Sequence, residues 1–167
     1  VKGIGTRGLI TYLRTDSVRV SSVAKDAAAS FITEKFGREY SADNSFSNKN
    51  KDIQDAHEAI RPTDIALEPE SIRDSLTADQ FKLYNLIWNR YVASQMSAAE
   101  FDTVSVSIDN SGYEFRASGS RLVFDGWRRV YPISNEKDSF VPEVNEGEEL
   151  KCQEIIKEQK FTQPPAR

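Results

Sequence analysis

A chain of 167 residues with 38% apolar content, nine Phe, six Tyr and two Trp can build one ordinary core or two small ones. Its formal charge of -4 gives no global attraction for a polyanion, so any argument for nucleic acid has to be local. A lone cysteine, Cys152, excludes an internal disulfide framework, the single histidine argues against a structural zinc site, and no apolar run approaches the roughly 18 to 20 residues of a membrane span.

A reducing, intracellular, cytoplasmic setting is the default for such a composition, and no signal-peptide pattern opens the chain. Charge is unevenly spread. Residues 1 to 38 carry seven bases against three acids, whereas the stretch from Glu136 to Lys151 carries six acids against two bases and reads as a solvated acidic surface. The sequence starts at Val1 without an initiator Met and stops after Gln163-Pro164-Pro165-Ala166-Arg167, so it is read as a piece of a longer protein.

In chain order, Gly3, Gly5 and Gly8 loosen the entry, and Leu9 to Leu13 is a short apolar run that suits a strand or a buried turn. A helix is predicted from Ser22 to Phe36. Ser21 or Ser22 can cap it, Val23, Ala27, Phe31 and Ala24, Ala28, Ile32 recur at fourfold spacing, and Gly37 suits its end. Tyr40 to Asp52 is polar and turn-rich, the pattern of a long loop. Gln54 to Thr63 then reads as one or two helical turns ended by Pro62, and a short helix fits Pro69 to Ser75.

Thr77 and Gln80 form a capping box, after which Phe81, Tyr84, Ile87, Trp88, Tyr91, Val92 and Gln95 repeat at helical spacing. One long helix is therefore expected from Ala78 to Ser97, with Tyr84 and Trp88 read as core. The period changes at Phe101: Val104, Val106 and Ile108 alternate with polar residues, Asn110-Ser111-Gly112 is a hairpin turn, and Tyr113, Phe115 and Ala117 alternate again. Further strands are expected at Arg121 to Tyr131 and Glu149 to Lys157. The fold class is α+β, a mostly helical portion over residues 1–98 followed by a β-rich portion over 99–167.

Two clusters carry candidate chemistry. A tyrosine hydroxyl, with an ordinary pKa of about 10, becomes a nucleophile only where its phenolate is stabilised or its proton removed. In Tyr12-Leu13-Arg14-Thr15-Asp16-Ser17 an extended backbone would put residues 12, 14 and 16 on one side, so that the Arg14 guanidinium could grip a phosphate, Thr15 and Ser17 could add hydroxyl donors, and Asp16 could orient Arg14 or handle a proton. The same pattern also fits a strand aromatic beside a surface ion pair. His57, the chain's one histidine, precedes Arg61 at helical spacing, and with Glu58 and Thr63 it forms a second candidate phosphate-binding group.

The ten residues Gly8-Leu9-Ile10-Thr11-Tyr12-Leu13-Arg14-Thr15-Asp16-Ser17, followed by His57-Glu58-Ala59-Ile60-Arg61-Pro62-Thr63, closely resemble the active-site signature of type IA DNA topoisomerases. The similarity continues, in order, through Val92-Ala93-Ser94-Gln95-Met96, Phe124-Asp125-Gly126-Trp127 and Phe161 to Arg167. Leu13 favours the bacterial topoisomerase I branch, since the topoisomerase III branch typically has proline between tyrosine and arginine.

The resemblance implies a transesterification in which Tyr12 attacks a phosphodiester of single-stranded DNA, forms a 5′-phosphotyrosine bond and frees a 3′-hydroxyl. The other strand passes through the gap, resealing needs no ATP, and relaxation of negatively supercoiled DNA supplies the direction. By similarity Arg14 holds the scissile phosphate and His57 assists by hydrogen bonding. Thr15, Asp16, Ser17, Glu58, Arg61 and Thr63 match the motifs as DNA-binding positions, and Arg90 and Gln95 are further candidate DNA contacts. The resemblance also implies Mg²⁺ held by an acidic metal-binding module, called Toprim, with no counterpart in these 167 residues and no metal ligands here. Residues 1–98 would be most of the tyrosine-bearing domain and 99–167 part of the β-rich arch. The expected partners are DNA and the missing domains of the same polypeptide, with no membrane, and the piece alone is expected not to relax DNA.

Two other readings compete. Tyrosine recombinases and type IB topoisomerases also use Tyr, His and Arg, but their nucleophile follows the basic residues and links to the 3′ side, whereas Tyr12 comes first here. A non-catalytic single-strand-binding module would use the basic start and exposed aromatics for backbone contacts and stacking.

Overall fold

The computed structural model describes residues 5–46, 57–133 and 139–162. There are two α-helices, α1 (Ser22–Phe36) and α2 (Ala78–Ser94), and the described residues between them include two 3-10 turns, Arg38–Tyr40 and Pro69–Ser75. An antiparallel hairpin follows, β1 (Glu100–Asn110) paired with β2 (Tyr113–Phe124), and then a 3-10 turn, Gly126–Arg129. The chain is thus mixed helix and sheet, and no helix among the described residues is long and apolar enough to cross a membrane.

Helix α1 has the predicted bounds, but only one of its two apolar rows is buried. Ala24, Ala28 and Ile32 face the core, whereas Val23 is 77% exposed and Phe31 is half-buried, its ring edge-on to Trp88. Ser21 occupies the N-cap position without a side-chain cap bond, and its backbone N–H donates instead to the Glu58 carboxylate at 3.0 Å. The Ser21 N–H, which in a capping box would go to a side chain of the first turn, goes to a distant carboxylate.

Helix α2 starts at the capping box, with Thr77 and Gln80 satisfying each other's backbone N–H groups. It ends at Ser94, three residues before the expected Ser97, because the chain there pairs with the segment after α1. Ser41 and Met96 form an antiparallel bridge, and the Asn44 amide donates to the carbonyls of Ser94 and Met96, taking over acceptors a further helical turn would have used. Residues 40–42 and Asn44 of the expected loop are therefore held against the chain around the end of α2, while Asp43, Ser45 and Phe46 are exposed; residues 47–52 lie outside the described residues.

The aromatic stripe of α2 is core and is also tied by hydrogen bonds. The Tyr84 hydroxyl donates to the Leu67 carbonyl, the Trp88 indole N–H to Ile65 and the Tyr91 hydroxyl to Ala24. Each buried ring thus satisfies its polar end by fixing an extended segment or α1 onto α2. Ala28, Ile32, Ile72, Val92 and Met96 complete the centre of the core.

The hairpin turn is the predicted one, since Ser111 and Gly112 both have positive φ, as a tight two-residue connection requires. Its strands project from the helical core and are largely exposed. The chain returns at Phe124, whose ring lies 4.8 Å from that of Tyr40, and Phe124, Trp127 and Val130 pack against the core. The Tyr40 hydroxyl donates to Asp125 at 2.7 Å and accepts from Arg129 at 2.8 Å.

Two expected strands are corrected. Of the run Arg121 to Tyr131, residues up to Phe124 belong to β2 and the rest turn away at Gly126, whose φ is +47°. Residues 149–157 form no strand and are exposed throughout, having no paired neighbour among the described residues to complete a ladder.

Gly126 is the tightest point of this return. A Cβ there would sit 2.4 Å from the Ala98 carbonyl oxygen and 2.5 Å from that of Ser97, while a Cβ on Gly112 would meet open space. Gly126→Ala should therefore cost about 2–4 kcal/mol, from backbone strain plus clash, against about 1 kcal/mol for strain alone in Gly112→Ala. Urea unfolding midpoints compare the two, and equal losses would remove the clash from the explanation.

Candidate active site

The candidate site is built where two segments distant in sequence pair with each other. Ile10 and Pro62 form an antiparallel bridge, with the N–H of Thr11 donating to the Arg61 carbonyl at 2.9 Å and that of Thr63 to the Leu9 carbonyl at 3.0 Å. Pro62 has no N–H to offer the ladder, so the pairing is short and closed by its neighbours. The predicted helical turn is therefore absent over the described part of that segment, residues 57–63, while residues 54–56 lie outside the description. Spacing of four does not set His57 and Arg61 on one face.

These two residues have different environments. His57 turns toward the tyrosine loop, with its ring centroid 6.5 Å from that of Tyr12 and Nδ1 3.5 Å from Asp16 Oδ2. Arg61 is held in the seam, with Nε and Nη2 donating to Glu58 Oε2 at 3.1 and 2.6 Å and Nη1 donating to the Pro62 carbonyl. Its side chain is 14% exposed and that of Glu58 24%. Burial pushes the Glu58 carboxyl up, but the bonds from Ser21 and Arg61 outweigh it and hold its pKa below the ordinary 4.5.

The tyrosine loop is a turn and not the extended run that alternation suggested. The Arg14 N–H donates to the Tyr12 carbonyl at 2.9 Å, and the side chain curls so that Arg14 Nε lies 2.6 Å from Asp16 Oδ2. Asp16 thus faces both Arg14 and His57. Tyr12 is 76% exposed and about half of the Arg14 side chain is open to solvent. Thr15 is exposed beside them, whereas Ser17 is buried, its hydroxyl accepting from the Arg19 N–H.

The other expected positions are elsewhere or otherwise engaged. Thr63 donates its hydroxyl to the Gly8 carbonyl. Arg90 is exposed on α2, its guanidinium 5.8 Å from the centre of the Tyr131 ring. Gln95 is 3% exposed, its amide donating to the Ser94 hydroxyl, because the chain turns into the pairing with residues 41 and 42 directly after α2. Sequence reasoning passed over Thr11, whose hydroxyl is 2.9 Å from the Ala59 carbonyl and 3.0 Å from the Arg61 N–H. The available signal was a polar residue inside an apolar run, where a half-buried hydroxyl needs partners.

The tyrosines divide sharply by environment. The hydroxyls of Tyr84 and Tyr91 are bonded into the core, where burial pushes Tyr84 up to about 12 and raises Tyr91, and the bond to Asp125, followed by burial, raises Tyr40. Tyr113 sits at the hairpin turn and Tyr131 under Arg90. Tyr12 alone combines wide exposure with a histidine and an arginine on its own loop cluster. For metal binding, no group of three or more His, Cys, Asp or Glu side chains among the described residues could hold an ion.

A protein-family model described as DNA topoisomerase matches residues 5–167. Among solved structures, the full-length topoisomerase I from Thermotoga maritima, in a monoclinic crystal form, is similar to this chain with 38% sequence identity and a TM-score of 0.66. The match covers 81% of this chain and 21% of that one, so the chain spans a minor part of the length of that relative.

The Glu58–Arg61 pair makes a stability prediction of its own. Because the folded-state pKa of Glu58 lies below 4.5, its carboxylate stabilises the fold fully above about pH 4.5 and loses that contribution as pH falls through the lowered value. Glu58→Gln should cost about 1–3 kcal/mol near pH 7, with the gap to the parent closing as pH falls below 4.5 and through the lowered value. Urea unfolding across that range tests it, and a gap independent of pH would mean that the charge is not what stabilises.

Proposed function

The chain belongs to the DNA topoisomerase family, in its bacterial type IA branch, and from that premise we propose that Tyr12 is the nucleophile that links the protein to DNA. The observation that carries the reading is the grouping of exposed Tyr12 with Arg14, Asp16 and His57, brought together from two segments about 40 residues apart.

In the proposed reaction the Tyr12 hydroxyl oxygen attacks the phosphorus of a phosphodiester in single-stranded DNA. The bond from phosphorus to the 3′ oxygen breaks, the 3′-hydroxyl leaves with a proton, and a 5′-phosphotyrosine ester remains. One ester replaces another, so the 3′-hydroxyl can reverse the step without ATP once the second strand has passed. Negative supercoiling makes the relaxed product favourable and supplies the direction.

Arg14 is suited to the phosphate because a guanidinium offers several donors in one plane and its position is fixed by Asp16. Asp16 neutralises part of that charge and orients both Arg14 and the His57 ring. His57 can donate to a phosphate oxygen or take part in proton transfer to the leaving 3′ oxygen. Thr15 adds an exposed hydroxyl at the same loop.

Mg²⁺ in this family would be held by carboxylates. On the resemblance those carboxylates belong to the Toprim module, and no step is assigned to a metal here. On this reading residues 1–98 carry the tyrosine, residues 99–167 contribute to the arch around the strand-passage opening, and the 167 residues alone do not relax DNA.

The test uses the complete polypeptide and a single-stranded oligonucleotide labelled at its 3′ end, the side that stays on the tyrosine. Tyr12→Phe should abolish the denaturation-resistant adduct and leave oligonucleotide affinity nearly unchanged. An adduct that persists in the variant would assign the nucleophile elsewhere, and parallel loss of binding and adduct would favour a single-strand-binding module. Arg14→Ala should slow adduct formation and, if it removes one phosphate contact, lower the slope of log K against log salt by about 0.7. An unchanged slope would take Arg14 off the phosphate.

A further inference from the structure

We infer that the hydroxyl of Thr11 is a positioning group for the reaction, setting the Tyr12 loop in register with the His57 segment; this rests on the role proposed for Tyr12. Thr11 is half-buried and bonds, among the described residues, only to one stretch of three residues, its hydroxyl also lying 3.4 Å from the Arg61 carbonyl as a second, longer acceptor. Its backbone N–H donates to the Arg61 carbonyl at 2.9 Å, its hydroxyl donates to the Ala59 carbonyl at 2.9 Å, and that hydroxyl accepts from the Arg61 N–H at 3.0 Å.

The arrangement is unlike an ordinary strand pair. Next to Pro62, which cannot donate, a side chain completes the hydrogen bonding that a backbone group would otherwise supply. Tyr12 is the next residue after Thr11, and His57 lies two residues before Ala59. The 6.5 Å between the Tyr12 and His57 rings is thus spanned by one side-chain bridge and the short backbone pairing around it.

The second support of the His57 segment enters from the other side. The Ala59 N–H donates to the Arg19 carbonyl at 2.8 Å, and Glu58 accepts from the Ser21 N–H. These bonds tie the segment to the start of α1 but not to the Tyr12 backbone. Asp16 meets the His57 ring through side chains alone, at 3.5 Å, whereas Thr11 couples the backbone of the segment to that of the nucleophile, so loss of its hydroxyl should loosen the Tyr12–His57 relation more than the seam as a whole.

Thr11→Val keeps the shape and the backbone bond but removes both hydroxyl bonds, whereas Thr11→Ser keeps the hydroxyl and removes only a methyl group. In the complete polypeptide, the initial rate of covalent adduct formation should fall at least about tenfold in Thr11→Val and stay within about twofold in Thr11→Ser, with single-stranded oligonucleotide affinity unchanged in both. In a His57→Gln background, Thr11→Val should cost less than about threefold, because the group it positions is gone.

A merely structural residue would lose the same factor in both backgrounds, and that result would overturn the inference. So would a parent-like rate in Thr11→Val, or an equal deficit in Thr11→Ser. Should Thr11→Val and the smaller Thr11→Ala both lose their cooperative thermal transition, the hydroxyl would be holding the fold and not the register, which also overturns it. Failure of the underlying assignment would be separately visible as an adduct formed by Tyr12→Phe.

Discussion

The short pairing of residues 9–11 with residues 61–63 is the constraint on which the site depends. Tyr12 and His57 belong to segments far apart in the chain, and the Ile10–Pro62 bridge brings them within reach. A bridge this small would be marginal alone. It persists because both partners are anchored from behind: Leu9 and Ile10 pack against the core, Pro62 is fully buried, and Ile65 and Leu67 accept bonds from Trp88 and Tyr84. The aromatic face of α2 therefore acts at a distance, holding the chain that carries the histidine.

This division explains why some of the molecule was legible in the sequence and some was not. Helix α1, the capping box of α2 and the hairpin turn follow from local rules: fourfold apolar spacing, a Thr-x-x-Gln pair, and two adjacent residues able to take positive φ. Each rule concerns residues close in the chain, and each element formed as expected. The His57 segment failed the same treatment because its partners, Arg19, Ser21 and Thr11, are about 40 to 50 residues away, and their bonds outweigh a helical turn already limited by Pro62. Gln95 shows a similar limit. The resemblance made it a candidate DNA contact, but the helix stops one residue earlier and the polar amide is folded inward.

The motif residues also proved not to be equivalent. Read as a line of text, Glu58, Arg61 and Thr63 stand as DNA-binding positions in one motif with His57. In space, Glu58 and Arg61 satisfy each other and Thr63 bonds to Gly8, so their polar groups are engaged in keeping the seam. Only tertiary structure separates a guanidinium that is 14% exposed and paired to a carboxylate from one that stands half-open beside an exposed phenol. Arg61 lies three residues from Glu58 and Arg14 two from Asp16, and no local pattern tells which of the two stays open.

Asp16 shows how the proposed chemistry accommodates a negative charge next to a phosphate site. A carboxylate close to an incoming phosphodiester would repel it, by an amount that grows as water is excluded. Here the carboxylate lies 2.6 Å from the Arg14 guanidinium and 3.5 Å from the His57 imidazole. It is placed behind two groups that can carry positive charge, and Tyr12 with half of the Arg14 side chain remains open in front. The arrangement holds Arg14 and sets His57 close to the same carboxylate, without an uncompensated acid at the surface proposed to meet DNA. Removing Asp16 would relieve repulsion but free Arg14 to adopt many rotamers, so in the proposed reaction orientation is gained at the expense of part of the attraction.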